Sequence, residues 1–109
     1  MPHYLNLVAY APEGWAAIVA HPQNRLEVIK SAIEKLGGKI VTGWFAFGEY
    51  DVVSITEMPD NVAAAAIAIA FAAGGACKSV RTVPLLSQEE ALQALKKAGE
   101  CGYRPPKAA

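Results

Sequence analysis

The run Phe47-Gly48-Glu49-Tyr50-Asp51 packs a glycine, two acids and a phenol between two apolar stretches, VTGWFA and VVSIT. Carboxylates and phenols accept, donate and move protons, and a glycine lets backbone or ligand come close. A turn, an active site and a ligand clamp all use these residue types. The other groups with chemical potential are scattered. His3 and His21 lie at opposite ends of the first β-α unit with no i, i+4 partner, and with Cys77 and Cys101 they give no metal-ligand spacing. No local motif points to a Ser-His-Asp or Cys-His set. The LGGK segment at 36–39 has the wrong glycine spacing for a phosphate loop. The expectation is no metal and no cofactor.

Composition narrows the partners. Ten Lys and Arg balance ten Asp and Glu, and a zero net charge argues against broad electrostatic binding to nucleic acid or an anionic membrane. The segment VAAAAIAIAFAAGGA at 62–76 is shorter than the ~20 residues a bilayer core requires, and its alanine content fits a buried soluble helix. The start, MPHYLNLVAYAPEG, has no basic region and enters a strand pattern at once, so no signal peptide is expected. A cytoplasmic chain with both cysteines reduced follows. Hydrophobic residues make up 53%, slightly above the usual share, which hints at a second buried face or an oligomer interface.

The elements that must position these groups are legible from periodicity. Alternation predicts a strand at 3–10, with Leu5, Leu7 and Ala9 on one face and Tyr4, Asn6, Val8 and Tyr10 on the other. EGWAAIVA reads as a short helix anchored by Trp15, and His21-Pro22 breaks it. NRLEVIKSAIEKLGG sets Leu26, Ile29, Ile33 and Leu36 in one helical stripe and ends in glycine. Strands follow at 39–47 and 50–57, joined by Gly48-Glu49, a hairpin signal for a type II′ turn. Asp60 caps a helix that is apolar all round and therefore expected to be buried all round. The strand at 78–86 contains Pro84, which suits an edge, and Lys78 and Arg81 there discourage edge pairing. Ser87 and Glu90 have capping-box spacing, and a thin stripe of Leu92 and Leu95 runs to Ala98. The domain spans 1–98, with an aperiodic tail at 99–109.

The order βαββαβ plus a C-terminal helix gives an α+β, ferredoxin-like fold with antiparallel strand order 4-1-3-2. Two helices cover one face of the sheet. With Leu5, Leu7 and Ala9 assigned to the helix side, the open face carries Asn6, Tyr10, Thr42, Trp44, Tyr50 and Ser54. That mixture of aromatics, hydroxyls and an amide suits a ligand pocket, and by composition it suits an ordinary wet interface between two sheets slightly better. Gly48 reads as the residue that turns the hairpin. Tyr50 and Asp51 point to opposite faces. Asp51, on the helix side, is expected to accept backbone N–H groups from the turn at 12–15. Tyr50, Tyr10 and Trp44 are expected to cluster on the open face, with Asn6, Thr42 and Ser54 as polar contacts.

LGGK, FAFGEYDVV, MPDNVAAAA and VRTVPLLSQEE together resemble the GYD domain family, whose signature corresponds to Gly48, Tyr50 and Asp51 here. The resemblance covers nearly the whole chain to about Ala98 and implies membership of the dimeric α/β-barrel group. It brings no established activity and no catalytic residues, and the tail with Cys101 lies beyond it. The reading is a homo-oligomer that binds a small apolar or aromatic molecule at the open sheet face. Two alternatives stand beside it. One is a cofactor-independent enzyme, monooxygenase- or isomerase-like, working in a cavity between subunits, with Tyr50, Tyr10 or His3 moving protons. The other is an assembly module.

Overall fold

The computed structural model describes residues 1–107. The elements run β1 (His3–Tyr10), α1 (Pro12–Ala20), α2 (Arg25–Lys35), β2 (Lys39–Phe45), β3 (Val52–Glu57), α3 (Asn61–Ala73), β4 (Cys77–Leu85) and α4 (Gln88–Glu100). One antiparallel sheet has the order β2-β3-β1-β4. This is the ferredoxin-like arrangement, with β2 and the proline-bearing β4 at the edges.

Each helix begins where a short polar side chain or a proline can start it. Pro12 opens α1, where a missing N–H costs nothing. Asn24 accepts from the Leu26 and Glu27 amides at the head of α2, and Asp60 Oδ1 accepts from the Ala63 amide at 2.8 Å at the head of α3. Ser87 and Glu90 complete a reciprocal capping box at α4. Between α1 and α2 the chain at His21-Pro22 is irregular, as the proline dictates.

The β2–β3 connection is longer than a two-residue hairpin. The strands part after Phe45 and resume at Val52, and the Ala46 amide donates to the Asp51 carbonyl at 2.8 Å to close the loop. Gly48 sits inside it at φ 122°, a conformation that only glycine enters without strain.

The core lies between the sheet and the helices. Tyr4, Ile33, Met58, Ala63, Ala64 and Ile67 form one buried cluster, with Ile29, Leu36, Ile40 and Phe71 packed against it. Tyr4 therefore faces the helices, and the two sheet faces are the reverse of the sequence expectation. Tyr4, Asn6 and Val8 are buried beneath α2 and α3, whereas Leu5 and Leu7 look out from the open face. The polar groups on the inner face are short and already partnered. Asn6 Nδ2 donates to Thr56 Oγ1 at 3.0 Å, and the Tyr4 hydroxyl donates to Asn61 Oδ1 at 2.6 Å. Satisfied in this way, they cost little to bury.

A β-bulge explains the remaining displacement. The register runs Ile40↔Thr56 and then Thr42↔Ile55, so Val41 is an extra residue in β2. One extra residue moves every later side chain to the other face. Thr42 and Trp44 consequently share a face with Ile55 and Val53, while Ser54 stays with Asn6 on the helix side.

Two helices differ from expectation. In α3, Ala63, Ala64 and Ile67 are buried but Val62 and Ile69 are 78% and 66% exposed, so only one side is covered. In α4 no residue is buried, and Leu92 and Leu95 face outward. The helix stands off the body: the Cα radius of gyration is 17.6 Å, against roughly 13 Å for a compact chain of this length.

Candidate functional site

The best-formed concavity lies on the helix side, at the end of the sheet where β1 finishes, β4 starts and α1 turns into α2. Val8, Tyr10, Ile18, Arg25, Ile29, Val52, Phe71 and Cys77 contribute walls to a cavity of about 280 Å³. Backbone geometry shapes the α1 wall. The Ala11 amide donates to the Ala76 carbonyl at 2.8 Å, and Gly14 is buried against the same residue. A Cβ on Gly14 would collide with the Ala76 carbonyl oxygen, so only glycine lets the first turn of α1 settle there.

Four polar side chains, Tyr10, Gln23, Arg25 and Cys77, converge on these apolar walls. Tyr10 is held from both sides: its ring meets Trp15 edge-on at 5.3 Å, and its amide donates to Asp51 Oδ2 at 2.8 Å. Arg25, the first residue of α2, donates from Nη1 to Gln23 Oε1 at 2.7 Å, and Gln23 Nε2 donates to the His21 carbonyl at 3.1 Å. The irregular linker thus orients the guanidinium. Cys77, at the start of β4, is half-buried with a free thiol.

The electrostatics of Tyr10, Arg25 and Cys77 differ. Burial pushes the Tyr10 phenol up from its ordinary value, and the adjacent Arg25 guanidinium opposes that shift in part. Burial also pushes the Cys77 thiol up, again against Arg25. Both groups stay protonated near neutral pH. The site presents a neutral phenol, a neutral thiol and one permanent cation. Among the described residues Arg25 forms no ion pair with a carboxylate.

The residues read from the sequence are divided between two places. Tyr10 lines the cavity. Asn6 and Ser54 lie buried beneath the helices, hydrogen-bonded to each other at 3.4 Å. Thr42 and Trp44 are exposed on the opposite face, with Trp44 69% exposed on edge strand β2. Tyr50 is half-buried in the β2–β3 loop. Tyr10 and Trp44 sit on opposite sides of the sheet, so the expected cluster on one open aromatic-polar face does not form. Asp51 is buried, and its acceptor role falls on the Tyr10 amide at the end of β1 instead of on the turn at 12–15. Its own amide donates to the Val8 carbonyl at 2.8 Å, which locks the loop to β1.

Arg25, Gln23 and Phe71 carried no local signal in the sequence. They meet only because α2, the end of α3 and the start of β4 converge. Among the described residues no cluster of three or more His, Cys, Asp or Glu side chains could hold a metal ion. No helix among them is long and apolar enough to cross a membrane.

No curated protein matches this sequence. The model of the GYD domain matches residues 4–95, from β1 into α4, and includes the Gly48-Tyr50-Asp51 loop that locks onto β1. With β2, β3, β4, all but the first residue of β1 and the first three helices inside that match, the chain belongs to the GYD domain family.

Proposed function

We propose that this protein is a homo-oligomeric small-molecule-binding protein whose ligand site is the cavity beneath α1 and α2. The observation that carries the reading is the cavity itself: apolar walls with Tyr10, Arg25 and Cys77 converging on them. Ligand sites have that composition. Burial holds the phenol and the thiol above their ordinary values, so near neutral pH each keeps its proton as a hydrogen-bond donor for a bound molecule. Two free cysteines, one of them exposed, suit a reducing compartment such as the cytoplasm.

A second copy is the natural cover for the open sheet face. Leu5, Leu7, Val53 and Ile55 stand side by side there, flanked by Trp44 and Val83. Four strands of six to nine residues, about 4.8 Å apart and rising about 3.3 Å per residue, present roughly 480 Å². That is short of the roughly 800 Å² per partner that stable interfaces bury. The unpartnered leucine stripe of α4 supplies more surface of the same character. A two-fold arrangement would stack two sheets and let each α4 reach the other copy. Native mass spectrometry of freshly purified protein tests both parts at once. The expected spectrum shows a dimer or larger assembly with a small molecule retained, and a bare monomer overturns the reading.

A further inference from the structure

We propose that the α1–α2 cavity is a carboxylate site: it takes a compact molecule with an apolar body and one anionic end, anchored by Arg25. The inference rests on the small-molecule-binding reading and adds the ligand's chemical class.

Size comes first. The cavity measures about 280 Å³. At roughly 30 Å³ per water it has the room of about nine waters, which suits a ligand of about nine or ten non-hydrogen atoms. Its walls are aliphatic and aromatic, from Val8, Ile18, Ile29 and Phe71, so most of the ligand is apolar. A ligand with many hydroxyls would leave them unpaired there.

Charge comes second. Arg25 is the one charged side chain in the lining, and it is half-buried. A guanidinium partly withdrawn from water and without a counter-ion favours an anion that can reach it, although its bond to Gln23 stays open to solvent. One of its donors is spent on Gln23, and that bond fixes the plane of the group while other N–H donors remain. A fixed guanidinium plane matches the two oxygens of a carboxylate. Asp51 also acts on Tyr10, but its Oδ2 is occupied by the Tyr10 amide. The influence of Arg25 also reaches both Tyr10 and Cys77, whereas Asp51 acts on Tyr10 alone and more weakly. The Tyr10 hydroxyl, protonated, offers a further donor to the same anion.

The test compares matched acids and amides. Benzoate against benzamide, and hexanoate against hexanamide, are titrated by calorimetry at pH 7 into the full chain and into Arg25→Gln and Arg25→Lys. The expected result is a preference of about tenfold to a hundredfold for each acid, the range of a charged hydrogen bond over a neutral one. Arg25→Gln should erase that preference and keep the amide affinity. Arg25→Lys should retain part of it, because the charge stays and the fork is lost. Thermal melts confirm that both variants are folded. Equal binding of acid and amide to the parent protein overturns the carboxylate assignment and leaves the binding reading standing. Acids that bind equally well to Arg25→Gln overturn the role of Arg25. If neither acids nor amides bind, the carboxylate site is wrong. The retained mass in the native spectrum then decides separately whether the protein binds small molecules at all.

Discussion

Replacing Asp51 by alanine removes a buried carboxylate and leaves the Tyr10 amide without its acceptor. Asp51 is 8% exposed, so water cannot substitute freely for the lost 2.8 Å bond. A hydrogen bond to a charged acceptor contributes about 1.5–3 kcal/mol, and an unsatisfied buried donor carries a cost of similar size. In a domain of about this length each kcal/mol moves the melting temperature by about 4 °C or more, so the expected loss is roughly 6–12 °C. Asp51→Asn keeps a carbonyl acceptor of the same shape and should lose about half as much. Differential scanning calorimetry measures both shifts. Amide hydrogen exchange at Tyr10 reads the local event, and protection there should fall more than in α2. The Asp51 backbone bonds to Val8 and Ala46 survive either substitution, so the loop should stay attached. An alanine variant that melts within about 2 °C of the parent, with Tyr10 still protected, would refute the bracing role.

Other expectations follow from the same geometry. Gly14→Ala drives a Cβ into the Ala76 carbonyl and should cost about 1–3 kcal/mol by overpacking, read as a lower Tm and altered α1 signals. Tyr4→Phe removes the 2.6 Å bond to Asn61 and should cost about 1 kcal/mol in a denaturant titration. Leu5→Glu and Ile55→Glu place charges on the open face and should convert an oligomer to a folded monomer, seen by light scattering with the far-UV spectrum unchanged. Burial holds the Cys77 thiol above its ordinary value, so its thiolate appears only at higher pH. Alkylation at Cys77, followed by mass spectrometry of peptides, should accelerate later with rising pH than alkylation of a free thiol in solution.

Element order and strand order were legible because each signal is local. The helical stripe of Leu26, Ile29, Ile33 and Leu36, the caps at Asp60 and Ser87, and the proline of an edge strand all act within a few residues. Gly48 was legible as a positive-φ position for the same reason, although the loop around it proved longer than a two-residue turn. The facing of the sheet was not legible. Alternation separates two faces without saying which one meets the helices, and here one is aliphatic and the other mixes aromatic, apolar and short polar side chains. The aliphatic face looked like the inside by hydropathy. The inside went to the face whose polar groups satisfy one another and whose Tyr4 hydroxyl is tied to Asn61 at the head of α3.

For the candidate site the division is sharper. Tyr10 and Asp51 stood out as residues with chemistry, and the structure ties them together through one backbone bond. Cys77 was visible only as a possible metal ligand and Arg25 not at all, and nothing joined them, because they are 52 positions apart by their numbering and share no motif. The amino-acid sequence by itself determined the element order, since periodicity, caps and turn residues encode it within short windows; the strand order followed from the right-handed connections that order allows, and the family from the resemblance of its segments to the GYD domain. Only the tertiary structure decided which sheet face is covered, where Trp44 points and that a cation lies beside a cavity. Those outcomes depend on one bulge residue, Val41, and on the meeting of distant segments, and neither has a local signature.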